Sequence, residues 1–513
     1  MTSWTEGYVA DIGYTHGFYR ELTPAFLSLA ALVRGQSGPA VDQPLQICEL
    51  GCGQGFSMNL LAAANPHLRF HATDFNPSQI AGARALAGEA GVGNVSFYDT
   101  AFAAFADEPG LPEAFDIIAL HGIYSWISPK NRQAIVDFIR RKLKVGGLVY
   151  LSYNALPGWA SGMPLRRLFV ERAGSTSGAI GPRIEEALAF TSRLKDLNAG
   201  FFRTNPGTGA RFDRIKVQNR NYLAHEYFNR DWTPFYFADV ADELGAAKLS
   251  YVGSAALLET IDAINLTPDQ QALLAEIGDA AQRETVKDFI FNQQFRRDVF
   301  VKGPLPLQPR SAQERWLDQR FVLSARRDDV PLTVRGFLGE GKLQSEVYDP
   351  LLDGLSNGPK TVRDLVADPA VGRLGWARLT QALTVLVGSA HAQPCLPVKD
   401  EGKRVKSAKI FNQAVASRAR NDGELQYLAS PVTGGGVSVN RFQQIFLGAL
   451  WSGKKTPAEW VDATWAILSG QGQRLLKEGK PLETEADTRA ELTSQAEAFA
   501  EKQLPVLKTL GIA

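Results

Sequence analysis

A chain of 513 residues with 45% apolar content is long enough for about three domains with sizeable cores. Its 55 lysines and arginines balance 54 aspartates and glutamates, a net charge of +1 that argues against the strongly basic face of a nucleic-acid binder, so no nucleic-acid partner is expected. Cys48, Cys52 and Cys395 form no Cys-x-x-Cys pair, no apolar run approaches the length of a membrane span, and no charged-then-apolar leader opens the chain, so the expectation is a reduced, cytoplasmic protein without an integral membrane segment.

Residues 1–30 read as an N-terminal arm and helix. Tyr14, His16, Phe18 and Tyr19 cluster ahead of a helix that begins near Thr23-Pro24, where proline suits an early helical position. Aromatics this dense suit an arm closing over a ligand, or a staple fixing the helix to a sheet.

Residues 31–160 carry the densest signal. The run Leu45–Gly55, LQICELGCGQG, passes from strand character into glycines at alternate positions, Gly51, Gly53 and Gly55, and then into a helical stretch that stops at Pro66. Strand, glycine turn and helix form the nucleotide site of a doubly wound α/β domain, because glycines let backbone approach the ligand. A dinucleotide fingerprint is spaced G-x-G-x-x-G; here the spacing is G-x-G-x-G, with Glu49 closing the strand. A second strand, LRFHATD, ends at Asp74, where an acid meets ribose hydroxyls, and Phe75 and Asn76 lead into the next helix. NVSFYD ends at Asp99, and FDIIAL runs into the loop HGIYSWIS. In that loop His121, whose ordinary pKa is near neutrality, is a candidate general base. Tyr124 and Trp126 are candidate pocket walls able to hold a cation on their ring faces, and Tyr153 joins them after the fifth strand, GGLVYLSYN. The blander reading is that these residues only contact a bound ligand, since a transfer between bound groups needs mainly proximity.

Residues 161–230 read as a helical insertion, a cap or dimer contact. In 231–303, FADVADELGAAKLSYVG and QFRRDVFVKG read as a last helix, a sixth strand and an antiparallel seventh that completes the sheet. His225-Glu226 invites a metal, but Asn229 stands where H-E-x-x-H needs its second histidine, so no metal is expected and the block reads as capping and substrate-lid packing. Residues 304–335 read as a proline-rich linker, 336–398 as a winged-helix-like unit whose apolar third helix suits structure or protein binding, and 399–513 as a helical C-terminal domain.

The glycine spacing after Glu49 closely resembles the signature of class I S-adenosylmethionine (AdoMet) methyltransferases. Taken together, the YTHGFYREL arm, the HGIYSW loop, the YNALPGW turn, the HEYF block and the helical C-terminal region resemble the bacterial methyltransferase/regulatory-domain family, which includes rickettsial protein lysine methyltransferases that modify outer-membrane proteins. The resemblance implies an α/β, Rossmann-like sheet, AdoMet as cofactor and S-adenosyl-L-homocysteine as product. Glu49, Gly51, Gly53, Gly55, Asp74, Phe75, His121 and Tyr14 would bind the cofactor, with Asp99 reaching the adenine amino group. His121, Tyr124, Trp126 and Tyr153 would serve the transfer of methyl to a lysine of a protein or peptide substrate, in a chain that could form a homodimer. No N/D-P-P-Y/F sequence follows strand four, which disfavours base and amide acceptors. A metabolite or lipid methyltransferase and a non-catalytic AdoMet-binding scaffold stay open. An open acidic groove would indicate a protein acceptor, and a deep, closed aromatic pocket a metabolite.

Overall fold

The computed structural model describes residues 16–513. At its centre is a seven-stranded sheet: β1 (Gln46–Leu50), β2 (Arg69–Thr73), β3 (Val95–Tyr98), β4 (Phe115–Leu120), β5 (Leu143–Asn154), β6 (Leu249–Ser254) and β7 (Phe295–Lys302), in the order β3-β2-β1-β4-β5-β7-β6. β1 to β5 pair in parallel, and β7 runs antiparallel to both β5 and β6. β1 and β4 are covered on both faces, which is why they read as apolar runs rather than alternating ones. The strand order reverses between β1 and β4, and a doubly wound sheet opens its ligand crevice at the carboxyl ends of such a pair.

Helix α1 (Phe56–Ala64) leaves the glycine turn and is buried along its whole length, including Met58, Leu60 and Leu61. A helix apolar all round needs cover on both sides. The sheet supplies one side. The other is helix α2 (Glu401–Arg418) of the C-terminal region, whose Phe411 ring lies 6.2 Å from that of Phe56. Asn65 Nδ2, just past α1, donates to the Gly434 carbonyl at 2.7 Å, and Arg418 pairs with Glu89 at 2.7 Å. The C-terminal region therefore buttresses the helix that starts at the glycine turn. Phe411→Ala would empty a fully buried ring site, with an expected loss of about 3–5 kcal/mol. It should be read as a lowered thermal midpoint of the whole chain.

Between β5 and β6 lie helices Met163–Gly174, Ile180–Asp196, Pro206–Lys216 and Arg220–Tyr227, joined by a core of their own that includes Leu165, Phe169, Ile184 and Phe212. The expected linker is structured. Pro309 opens a helix, Pro309–Asp318, because a first-turn residue has no intrahelical use for the N–H that proline lacks. Strand Arg320–Leu323 follows and forms the middle of a small antiparallel sheet with Lys360–Thr361 and Ala392–Cys395. Helix Trp376–Gly388 turns Leu379, Leu383 and Leu386 into that unit's core. The remainder is mostly helical. No helix among the described residues is long and apolar enough to cross a membrane.

Candidate active site

The glycine turn at the end of β1 is held by three backbone donors. Gly51 N and Cys52 N donate to the Thr73 carbonyl at 2.8 and 3.0 Å, and Gly53 N donates to Asp74 Oδ2 at 2.9 Å. The other Asp74 oxygen accepts from Asn76 N at 3.0 Å. A Cβ at Gly51 would sit 2.7 Å from the Ile123 side chain, so glycine is needed there for close packing. Gly53 is different: a Cβ would meet nothing nearer than 3.9 Å, and it is the backbone angle φ of +53° that favours glycine. Gly55, at φ +64°, begins α1 against Ala83 and Phe97.

This turn borders a cavity whose empty volume, mouth included, is about 1480 Å³. Its wall combines Glu49, the glycine turn, Asp74 and Phe75 from the sheet's carboxyl edge with Thr100–Phe102, His121–Ile123 and Trp126. Tyr19 enters from the N-terminal side, and His225, Glu226 and Asp231 enter from beyond the insertion helices. Four of the lining residues are acids, Glu49, Asp74, Glu226 and Asp231, and none of the described ones is a lysine or arginine.

Burial governs the protonation of these groups. The Glu49 carboxyl, walled in and close to Asp74, is pushed up to about 8, and its Oε2 has no hydrogen-bond partner among the described residues. Burial also raises Asp74, opposed by the backbone N–H groups that donate to it. Glu226 is pushed up to about 7 by burial. Burial, with Arg297 nearby, drives His121 down to about 3, so its ring is neutral. That ring is stacked on Tyr19 with centroids 3.5 Å apart, and its Nδ1 lies 2.9 Å from the Tyr150 hydroxyl. A stacked imidazole with so low a pKa is a wall and a poor base. Conversely, an unpartnered buried carboxyl beside an open glycine turn fits a ligand that brings an ammonium group.

Of the residues singled out in the sequence, Glu49, Gly51, Gly53, Gly55, Asp74, Phe75, His121 and Trp126 line this one cavity. Tyr14 lies outside the described residues. Asp99 is exposed just past the end of β3, and Thr100–Phe102 line the cavity in its place. Tyr124 turns away and donates to Glu243. It belongs to a 3₁₀ turn, in which positions three apart share a face, so Ile123 and Trp126 meet the cavity and Tyr124 cannot. Tyr153 is also misplaced by the sequence reading. Along β5 side chains alternate: Tyr150 reaches His121 and Ser152 Oγ accepts from Gly122 N at 2.8 Å, so Tyr153 points to the opposite face. There its hydroxyl donates to the buried Asp298 at 2.7 Å. Glu226 and Asp231 were missed as site residues. The HEYF block was read as cap and substrate-lid packing rather than as a source of cavity carboxylates, and no metal-binding cluster occurs among the described residues.

Comparison with known proteins agrees with this geometry. A methyltransferase domain model matches residues 48–149, and a model described as a predicted methyltransferase regulatory domain matches 219–302. The second segment contains β6, β7 and the helix bearing Glu226, so the regulatory domain completes the catalytic sheet and walls the cavity. The chain is similar to the uncharacterized protein sll1526 of Synechocystis sp., at 44% identity over 99% of this chain and 100% of that protein. It is also similar to the uncharacterized protein RP789 of Rickettsia prowazekii, at 27% identity over 58% of this chain and 53% of that one. PKMT2 from Rickettsia typhi, solved in complex with AdoHcy, shares the fold with a TM-score of 0.70 at 17% identity, covering 97% of this chain and 100% of that one. Full-length kinship to the Synechocystis protein, two methyltransferase models meeting on one sheet and a shared whole-chain fold lead to one conclusion: the chain belongs to the class I S-adenosylmethionine-dependent methyltransferases that carry the methyltransferase regulatory domain.

Proposed function

We propose that the cavity holds AdoMet against the glycine turn and that the methyl acceptor is the side-chain amine of a lysine in a protein. When bound, the cofactor supplies an electrophilic methyl group on a cationic sulfonium. Glu49 would hold its amino group, using the carboxyl oxygen that has no other partner among the described residues. Asp74 would hold the ribose, because a carboxylate that already accepts backbone N–H bonds keeps further lone pairs. Phe75, Phe102, His121 and Trp126 would wall the bound groups in, leaving positioning as the main contribution to rate.

The observation that carries the acceptor class is charge. The cavity is lined by four carboxyl groups and by no described lysine or arginine, which suits a cationic acceptor and offers an anionic one no counter-charge. A lysine ammonium also gains from Trp126, whose ring faces attract cations. The rickettsial neighbour of the same fold bears the name PKMT2, which supports the protein-lysine reading. The test is incubation of the protein with methyl-labelled AdoMet and a bacterial lysate, followed by acid hydrolysis of the protein fraction. Label in methylated lysine is expected; label confined to the lipid or small-molecule fraction would overturn the reading.

A further inference from the structure

We propose that Glu226 is the group that takes the proton from the acceptor's ammonium. The proposal rests on the cavity being the methyl-transfer site for an amine, and it adds the residue that prepares that amine. An ammonium has no lone pair and cannot be methylated, so the site needs an acceptor for one proton. Three of the four carboxyl groups in the cavity are otherwise engaged. Asp74 holds the glycine turn through Gly53 N and Asn76 N. Asp231 pairs with Arg230 at 3.0 Å. Glu49 ends β1 beneath the glycine turn, the end of the cavity suited to the cofactor's own ammonium. Glu226 makes no hydrogen bond or ion pair among the described residues, and it is brought to the cavity by helix Arg220–Tyr227 of the regulatory segment rather than by the sheet. His121 is a poor alternative, being stacked on Tyr19 and close to Tyr150.

Among the described residues, the titratable groups around Glu226 are Tyr222, His225 and Tyr227 on its own helix, Asp231 on the segment that follows, Tyr19 from the N-terminal side, and Glu49, Asp74 and His121 along the sheet edge. No described lysine or arginine lines the cavity to hold Glu226 permanently ionised. Burial brings it to about 7, where a carboxylate is available at neutral pH and still basic enough to accept a proton. The N–H proton passes to a Glu226 carboxylate oxygen, the bonding pair stays on nitrogen as its lone pair, and the proton leaves to solvent when the product departs.

The experiment uses the full chain loaded with S-adenosylhomocysteine and n-butylamine as a lysine side-chain probe. In infrared difference spectra at pH 8, butylamine is expected to raise the carbonyl band of a protonated carboxylic acid in the wild type and not in Glu226→Gln. With the protein acceptor, kcat/KM of the wild type is expected to rise with pH through about 7, where the ligand-free Glu226 ionises. In Glu226→Gln that limb should vanish and kcat fall by roughly 10²–10⁴-fold. Glu226→Asp, which keeps the acid, should restore both the band and the limb, and it serves if the glutamine variant does not fold. No band, or a band that survives in Glu226→Gln, overturns the proposal. A Glu226-dependent band in a protein that methylates no lysine overturns the protein-lysine reading instead, and leaves Glu226 as the proton acceptor for another amine.

Discussion

AdoMet is expected to bind roughly fiftyfold more tightly at pH 8 than at pH 6. The cause is Glu49. Its carboxyl lies at about 8 in the ligand-free chain, so at pH 7 it is mostly protonated, whereas a ligand ammonium selects the carboxylate. Binding must then release a proton, and the released fraction falls from nearly one at pH 6 to about one half at pH 8. Calorimetry in two buffers of different ionisation enthalpy reads that proton directly. Glu49→Gln should remove both the release and the pH dependence, and should weaken binding tenfold or more at pH 8. A wild-type affinity flat between pH 6 and 8 would show that Glu49 does not meet the ligand's charge. The same carboxyl sets a sign for stability. Its folded pKa lies above the ordinary 4.5, so the ligand-free fold holds the proton more tightly than the unfolded chain does. That contribution is full below about 4.5 and is lost as pH rises through about 8, at about 1.4 kcal/mol per unit and roughly 5 kcal/mol in all. Ligand-free protein should therefore melt at a lower temperature at pH 8 than at pH 6, a gap that Glu49→Gln narrows and saturating AdoMet closes.

How much of this could be read in the sequence follows from how local each constraint is. Gly51, Gly53 and Glu49 were legible because one tight turn fixes them: a clash with Ile123, a positive φ and a strand end lie within a few residues. The sheet was legible to its last strand, since β7 carries an apolar run between polar flanks and the class I order needs an antiparallel strand there. Tyr124 and Tyr153 were misread although the corrective signals were present. A period of three in HGIYSW and a period of two in YLSYN each allow only one face to meet the cavity. Glu226 could not have been read this way. It reaches the cavity only because the insertion folds around Phe169 and Phe212 and carries its last helix back to the sheet, and nothing near the HEYF block encodes that return. The linker was misread because Pro304, Pro306 and Pro309 look alike in sequence, yet the third starts a helix.

The face to which Tyr153 turns makes a second large effect predictable. Arg296 on β7, the register partner of Tyr153, is almost wholly buried and contacts Asp298 at 2.8 Å, Asp288 at 2.5 Å and Glu284 at 3.0 Å. Its guanidinium also donates to the Tyr251 hydroxyl at 3.0 Å. One cation thus serves three carboxyl groups, and burial still lifts Asp288 to about 7. Arg296→Met keeps much of the volume but strands these acids, a change expected to cost about 3–5 kcal/mol. The cost must depend on pH. Without Arg296 the buried acids take up protons more readily in the fold than in the unfolded chain, so the variant is least impaired near pH 5 and most impaired above pH 8. Thermal midpoints of wild type and variant at those two values check the sign. Tyr153→Phe removes a single hydrogen bond to Asp298 and is expected to cost about 1–3 kcal/mol while leaving the affinity for AdoMet unchanged. A variant with normal stability and lost turnover would instead return Tyr153 to the chemistry, against the face that strand alternation gives it.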